Sequence, residues 1–447
     1  MRAEEATGGM MESVGKNGTR AISRGLMLAG LALIAAPASA QTLVPDSGDT
    51  AWMLCAAALA LFMILPGLAL FYGGQVRGRN LTSVGMQCFA VVAVASLLWG
   101  VAGYSVAFAP GTPWTGGALN IGLANLALLR EGMTVPESAY ALFQMMFAVV
   151  APALMIGAFV ERVRFGWLVG FVTLWSLLVY APVAHWLWGG GWLAQLGTLD
   201  FAGGIVVHVT AGVSALVIAL LIGKRGGFPQ VVATPHSPPL TLVGAGMLWV
   251  GWFGLVGGSA LGAGDGAASA ILNSHFAACA GALAWLALER LMRGKSSAIG
   301  VATGAIAGLT SVSAAAGMVG PLGAMAMGLI GGMVCFGSLG LLRGRWQLDD
   351  SLGVFAVHGV GGIVGSLLLA PFAGARLGGV GYDEGVNAVT QLVAQTVGVG
   401  AVALWSAVAT LAISLIVAVF LPMRVSADAE AEGLDMSSHG ARAWEFE

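Results

Sequence analysis

Long apolar stretches separated by short polar connections follow one another along most of this chain of 447 residues. A helix needs about 20 mostly apolar residues to cross a bilayer, and eleven stretches reach that length. The strict alternation of apolar and polar residues that is typical of outer-membrane barrel strands is absent from the sequence. The predicted spans cover residues 50–73, 83–108, 139–160, 165–186, 202–222, 240–260, 268–290, 297–316, 321–341, 352–371 and 389–421.

The first 40 residues have the pattern of a secretory signal peptide. Three basic residues precede an apolar run over residues 26–36, and small residues occupy positions 38–40. The run is too short to span a bilayer, and small residues after such a run favour cleavage. We therefore predict that residues 1–40 are removed and that the mature chain starts near Gln41. The residues before Lys16 are either a leader extension or a misassigned start.

Composition narrows the class of protein. The chain has 19 Lys and Arg and 21 Asp and Glu, which is 9% of its residues, against about 25% in a soluble protein. Hydrophobic residues make up 58%, which excludes a water-soluble enzyme and a disordered chain. The net charge of −2 gives no basic surface for nucleic acid. The four cysteines lack the spacing of a metal site or a disulfide framework, so we predict no metal and no cofactor.

Basic residues are distributed unevenly among the connections between the spans. One alternate set of connections holds twelve Lys and Arg, and the other holds two, Arg130 and Arg376. The positive-inside rule places the richer set in the cytoplasm, so the mature N-terminus lies outside and the C-terminus inside. A cleaved signal peptide and an odd number of spans predict the same orientation. The richer set consists of Arg77, Arg79, Arg162, Arg164, Lys224, Arg225, Arg290, Arg293, Lys295, Arg343, Arg345 and Arg424.

One pattern occurs twice, at the start of the fifth and of the tenth span. Asp200 is followed eight residues later by His208, and Asp350 is followed at the same spacing by His358. A glycine follows four residues after each histidine. Each half has five spans, and because this number is odd, the two copies cross the membrane in opposite directions. This arrangement predicts an inverted repeat. The domain over residues 41–421 then comprises a first repeat (50–222), a second repeat (240–371) and a final helix (389–421).

The spacing places both histidines near the middle of the membrane. Eight residues of helix rise about 12 Å, which approaches half the thickness of the hydrocarbon core. Ionisable groups at that depth are usually functional, although a helix–helix hydrogen bond is the plainer alternative. A facing pair of neutral imidazoles suits a small hydrogen-bonding molecule or a proton relay better than a metal cation. Asp200 and Asp350 are predicted as helix N-caps, and Asp200 additionally as an attraction for a cation.

Seven segments resemble the ammonium transporter family (Amt/MEP/Rh), and specifically its bacterial Amt branch. Each segment alone is moderately specific, and together they are highly specific. The resemblance implies an all-α homotrimer of eleven transmembrane helices, in which each subunit has its own hydrophobic pore, in the bacterial inner membrane. It implies transport of ammonium or ammonia, with methylammonium as a related substrate, and no enzyme activity. The segments are residues 71–80, 143–147, 157–165, 200–212, 244–252, 349–362 and 432–440.

The resemblance assigns an outer recruitment site. Phe147, Trp188 and Ser259 match the residues that receive external ammonium, with Asp200 close to them. A compact cation is attracted to aromatic faces and donates to a hydroxyl. Phe147 also matches the outer gate, but Leu255 stands where the family usually has a second Phe, and Val256 follows where Asn is common. The stacked double-Phe gate is therefore absent.

The resemblance also assigns the pore and its mechanism. The predicted pore residues are His208, His358, Trp252, Phe71 and Ser313, the last in place of a frequent Thr. Ammonium binds outside and loses a proton at the gate, because an apolar pore strongly penalises an ion. Ammonia then crosses past the two histidines.

The tail over residues 422–447 is polar and acidic. A solvated end is the plain interpretation, whereas the resemblance of Glu432, Gly433, Leu434 and Asp435 to the family's C-terminal motif implies a regulatory tail and a PII-type signal protein as partner. A second class of function is therefore an ammonium sensor, or transceptor, with weak conduction. A third class is a membrane redox enzyme with the histidines as haem ligands, which the small apolar surroundings disfavour.

Overall fold

Ten helices are long and apolar enough to cross a membrane in the computed structural model, which describes residues 44–231 and 234–444. An eleventh apolar helix, Ala298–Val312, is shorter. No strand occurs in these described residues. The predicted all-α polytopic class is confirmed, whereas the count of eleven transmembrane helices stays a prediction. The predicted signal peptide lies outside the described residues.

The predicted and observed helices agree to within one or two turns at most ends. The fourth helix is the clearest difference, because it breaks after Trp188 and resumes as a single helical turn over Trp192–Gln195. Helices α1 to α11 are Ser47–Gln75, Gly78–Phe108, Glu137–Phe159, Phe165–Gln195, Gly204–Ile222, Pro238–Gly258, Asp265–Arg293, Ala298–Val312, Pro321–Gly344, Phe355–Phe372 and Ala388–Phe420. Two short helices in the tail are α12, Ala427–Glu432, and α13, Leu434–His439.

Local side-chain chemistry sets several helix ends. The side chains of Asp46 and Ser237 accept hydrogen bonds from free N–H groups in the first turns of α1 and α6. Asn387 and Thr390 form a capping box at the start of α11. Gly294 ends α7 at φ 76°, a conformation that glycine adopts readily. These groups satisfy the terminal backbone atoms that no helical bond reaches.

Burial differs strongly among the helices. Helix α3 is buried along nearly its whole length, whereas only about a third of the residues in the apolar windows of α2, α9 and α11 are buried. Exposed apolar helix faces suit contact with lipid or with another membrane helix. The interior of the molecule therefore lies around α3, and the functional residues described below lie on α3 and its neighbours.

The two copies of the repeated pattern have similar local structure. Each begins with an aspartate whose carboxylate accepts backbone hydrogen bonds, Asp200 from three N–H groups and Asp350 from two. Both aspartates therefore accept from the first free N–H groups, as predicted, but they precede the N-cap residues Gly203 and Val354 by three and four positions. Each cap is followed by a π-helical turn, Gly204–Val209 in α5 and Phe355–Gly359 in α10, and each turn contains the histidine. Such turns are rare and often occur at functional sites.

Helices α5 and α10 cross closely at two glycines. A Cβ atom at Gly212 would lie 2.3 Å from the Cα atom of Gly359, and one at Gly362 would lie 2.6 Å from the carbonyl oxygen of Gly204. A larger residue at either position would force the helices apart, which is why small residues are favoured at such crossings. The close crossing brings the histidines of the two helices together.

Candidate functional site

The two histidines of the repeat face each other in the interior. The Nδ1 atoms of His208 and His358 are 3.3 Å apart. The rings are stacked, with centroids 5.2 Å apart and an interplanar angle of 23°. Both side chains are buried. Facing imidazole nitrogens form a hydrogen bond when one of them carries a proton and the other does not.

Trp252 and Ser313 extend this arrangement. The indole ring of Trp252 stacks on His208 with centroids 5.3 Å apart and an angle of 17°. Its Nε1 atom donates to the Ser313 hydroxyl at 3.2 Å, and that hydroxyl donates to the carbonyl oxygen of Leu309. Ser313 therefore orients the indole, and the indole restricts rotation of the imidazole.

A narrow cavity of about 10 Å³ lies between His208 and the predicted gate. Phe147 and Leu255 line it, as do Trp252 and His208, and the rest of its lining is apolar. This volume is close to the minimum for one water molecule. A small neutral molecule fits such a space, whereas an ion would lose its hydration shell without replacement.

Aromatic rings cluster at the predicted gate. The centroids of Phe147 and Trp188 are 5.1 Å apart at 65°, and the Trp188 Nε1 atom donates to the carbonyl oxygen of Asp200. Phe143 contacts Phe147 edge to face, with centroids 5.3 Å apart. Phe143 was not among the predicted site residues, although its position four residues before Phe147 places it on the same helix face.

The remaining predicted residues hold different positions. The Ser259 hydroxyl is half-buried and donates to the carbonyl oxygen of Leu255, and no donor among residues 44–231 and 234–444 bonds to its lone pairs. Leu255 lines the cavity at the position where the resemblance would place a second Phe. Phe71 is buried on α1, where its backbone packs against Gly244, and it does not line the cavity.

The side chain of Asp200 forms hydrogen bonds with the backbone. Its carboxylate accepts hydrogen bonds from the N–H groups of Gly203, Ile205 and Val206 at 2.8 to 3.0 Å. Burial raises the pKa of Asp200 to about 6, although these N–H groups act to lower it. Any attraction that Asp200 exerts on a cation therefore acts through its charge and depends on its ionisation.

A buried ion network lies among the connections that precede α4, α6 and α10. Arg225 binds Asp349 with its Nη2 atom at 2.7 Å and Glu161 with its Nη1 atom at 2.7 Å. Arg162 is fully buried and donates to the backbone carbonyl of Asp349 and to the hydroxyl of Ser351. Burial alone raises the pKa of Glu161 and Asp349, but the arginines outweigh it and hold the pKa of both acids below the usual value.

The tail docks beside this network. The carboxylate of Asp435 accepts hydrogen bonds from the backbone N–H groups of Thr82 and Ser83 at 3.2 and 2.7 Å, and so caps the start of α2. The backbone N–H of Leu434 donates to the side chain of Asn80. The predicted tail motif is thus attached to the helical domain.

The other two motif residues lie against Arg79. Gly433 has a φ of 104°, and a Cβ atom there would lie 2.5 Å from the Cγ atom of Arg79. The backbone carbonyl of Glu432 accepts a hydrogen bond from the same arginine at 3.5 Å. Glycine is required at this turn both by its conformation and by the close approach.

A buried histidine pair behind an aromatic cluster, in a bundle of apolar helices, defines a membrane transport protein for a small hydrogen-bonding molecule. The model of the Ammonium Transporter Family matches residues 51–444. An ammonium transporter from Bacillus subtilis is 41% identical over 401 residues, covering 89% of this chain and 98% of that relative. One from Aquifex aeolicus is 41% identical over 406 residues, covering 89% and 94%. The chain belongs to the ammonium transporter family of multi-pass membrane proteins.

Solved structures of the family are similar to the whole helical domain. A structure described as a sensor Amt protein has a TM-score of 0.82 at 29% identity and covers 88% of this chain and 98% of that one. The structure of Candida albicans Mep2 has a TM-score of 0.78 at 35% identity and covers 86% and 87%. The similarity therefore includes a protein named as a sensor as well as ones named as transporters.

Proposed function

We propose that this protein moves ammonium across the membrane by removing a proton at the outer gate and conducting ammonia past the histidine pair. The observation that carries the proposal is the cavity lined by Phe147, Leu255, Trp252 and His208. Its walls are apolar and its width admits a small molecule, which favours ammonia over a hydrated ion. Potassium is excluded because it has no proton to release.

Recruitment precedes this step in the proposed mechanism. Ammonium rests against the faces of Phe147 and Trp188 and donates to the free lone pairs of Ser259. The proton then follows along the imidazoles of His208 and His358 or stays outside. Leu255 fills space but has no aromatic face, so aromatic rings contact the cation from only one side of the gate.

Further parts of the proposal concern assembly and orientation. We propose a 5+5 inverted repeat with a long final helix, a homotrimer, and a bacterial inner-membrane location with the mature N-terminus outside. The matching backbone hydrogen bonds to Asp200 and Asp350 and the π-helical turns of α5 and α10 support the repeat. The exposed apolar faces of α2, α9 and α11 offer surface for lipid and for neighbouring subunits. The uneven distribution of Lys and Arg supports the orientation.

Ammonium and potassium gradients applied to the purified protein in liposomes test the proposed function. We expect an ammonium gradient to produce a change of internal pH, with a current if the proton follows, and an equal potassium gradient to produce neither. Protein-free liposomes provide the background, since ammonia also crosses lipid. Equal responses to the two cations, or a response no larger than the background, would contradict the proposal.

The ionisation of Asp200 should control recruitment. Because its pKa is about 6, the carboxyl group is mostly neutral below that pH and mostly charged above it, while ammonium keeps its charge throughout. We expect ammonium to bind about tenfold more tightly at about pH 7.5 than at about pH 5, measured by calorimetry. The Asp200→Asn variant should lose this dependence, and a variant that keeps it would show that another group is responsible.

Sensing with weak conduction is the second candidate function. Three observations favour it: similarity to the sensor Amt protein, Leu255 at the gate, and a tail docked on the helical domain. The transport experiment separates the two functions. Ammonium binding without a pH change or a current would support the sensor.

We also propose that a PII-type signal protein binds the face formed by the docked tail, and that Asp435 holds the tail there. The Asp435→Ala variant removes the acceptor of two N–H groups at the start of α2. We expect about tenfold faster proteolysis of residues 422–444, since cleavage follows the population of the open form, and weaker binding of the signal protein. Asp428→Ala, at an exposed acid of α12, is the matched control. Equal cleavage of both variants would contradict this role of Asp435.

A further inference from the structure

The hydroxyl of Thr310 differs from other hydroxyl groups of α8 and of its C-cap, Ser313. Thr303, Ser311 and Ser313 each donate to the carbonyl oxygen four residues earlier, at 2.7 to 2.8 Å. Thr310 makes no such bond in the described part of the chain, although its side chain is fully buried. Its hydroxyl contacts the Nδ1 atom of His358 at 3.4 Å instead. A buried hydroxyl that leaves the usual backbone acceptor is therefore directed at the histidine pair.

The atom that Thr310 contacts is the one that faces the second histidine. The Nδ1 atom of His358 is also 3.3 Å from the Nδ1 atom of His208. A neutral imidazole nitrogen either donates or accepts, so the shared proton sits on one of two Nδ1 atoms. For the rings alone the two arrangements are nearly equivalent. Thr310 breaks this equivalence, since among the described residues no hydroxyl contacts His208 in the same way.

The partners of Thr310 determine which atom donates in the hydrogen bond between its hydroxyl and His358. A buried hydroxyl hydrogen without an acceptor costs free energy, and the Nδ1 atom of His358 is the acceptor within reach. If the hydroxyl donates to it, this nitrogen has no proton, and His358 carries its proton on Nε2. The facing Nδ1 atom of His208 must then be the N–H group, and it shares the one lone pair of Nδ1 of His358 with the Thr310 hydroxyl in a three-centre hydrogen bond, which fits the long distances of 3.3 and 3.4 Å. The Nε2 atom of His208 is left as a proton acceptor.

We propose that Thr310 is a positioning residue of the histidine pair, and that its hydroxyl fixes the proton on Nδ1 of His208 and on Nε2 of His358. His208 lines the cavity that reaches the gate, and His358 does not. The imidazole on the gate side thus presents an acceptor, which suits an incoming molecule that carries N–H groups. The consequence for transport rests on the proposed function, whereas the assignment of the protons does not.

Two substitutions at Thr310 separate the hydroxyl from the shape of the side chain. Thr310→Val keeps the volume and removes the hydroxyl, and Thr310→Ser keeps the hydroxyl. Ser311→Ala is the matched control, because it deletes a neighbouring buried hydroxyl that is bonded to the Ala307 carbonyl. The first measurement is nitrogen NMR of the full-length protein with labelled histidine. Signals of the pair are assigned with His208→Ala and His358→Ala.

We expect wild type, Thr310→Ser and Ser311→Ala to show one arrangement, with Nδ1 of His358 unprotonated. Thr310→Val should show a mixture, since loss of one neutral hydrogen bond changes an equilibrium about fivefold. The second measurement is ammonium transport in liposomes as a function of pH, in which Thr310→Val should be about fivefold slower and Thr310→Ser should restore the wild-type profile.

The two measurements test different claims, the first the role of Thr310 and the second its consequence for transport. An unchanged proton arrangement in Thr310→Val, or the same change in Ser311→Ala, overturns the role of Thr310 whether or not the protein transports ammonium. A wild-type protein that moves no ammonium overturns the proposed function, and the NMR result then still decides the assignment.

Discussion

The His208→Ala variant is expected to transport ammonium about a hundredfold more slowly than wild type, the lower end of what a positioned proton-transfer group contributes. The substitution removes the imidazole that lines the cavity and that faces His358 at 3.3 Å. It also removes the surface on which Trp252 stacks. Without this ring neither a proton nor a hydrogen-bonding molecule has a partner between the gate and His358.

Liposomes with equal amounts of purified protein give the measurement, and His275→Ala gives the matched control. His275 is an exposed histidine of α7 that lies beside Trp249, with ring centroids 5.4 Å apart, rather than beside the pair. Its variant should transport like wild type. If His208→Ala carries ammonium and methylammonium at the wild-type rate and still rejects potassium, the histidine pair is not the conducting element.

The histidine pair could be predicted because its signals are local. Each histidine follows a capping aspartate by eight residues and precedes a glycine by four. These spacings fix depth in the membrane and a close helix crossing without any knowledge of distant contacts. The contact between His208 and His358, 150 positions apart, follows from equal depth. The aromatic cluster at Phe147 and Trp188 came from the family resemblance instead.

Other features could not be predicted because they depend on contacts between distant residues. Arg162 and Arg225 appeared in the sequence only as basic residues of connections, yet the structure places both against Asp349, Arg162 fully buried and Arg225 partly buried. The bond from Ser83 to Asp435 joins residues 352 positions apart. Thr310 gives no signal in the sequence, since its role depends on whether its hydroxyl turns to its own helix or to α10. Charge and hydropathy show the type of such a residue but not which distant residue it contacts.

The Asp349→Ala variant is expected to be destabilised by about 3–5 kcal/mol, the range found when one partner of a buried ion pair is removed. The carboxylate is nearly fully buried, accepts hydrogen bonds from Arg225 and lies 3.8 Å from Arg162. Both arginines keep their charge without it. Of the two acids in contact with Arg225, Glu161 alone then remains. The variant should therefore unfold at a clearly lower temperature in detergent.

Two further variants and a pH series separate charge from shape at this position. Asp265→Ala removes an exposed acid from the first turn of α7 and should change stability by less than about 1 kcal/mol. Asp349→Asn keeps an acceptor oxygen but not the charge. Because the arginines lower the pKa of Asp349, its ionised form stabilises the fold above the pKa of the unfolded chain and loses that effect as pH falls through the lowered pKa. The difference in stability between wild type and Asp349→Asn should thus become smaller below about pH 4. A stability difference that stays constant with pH would mean that the charge of Asp349 does not stabilise this network.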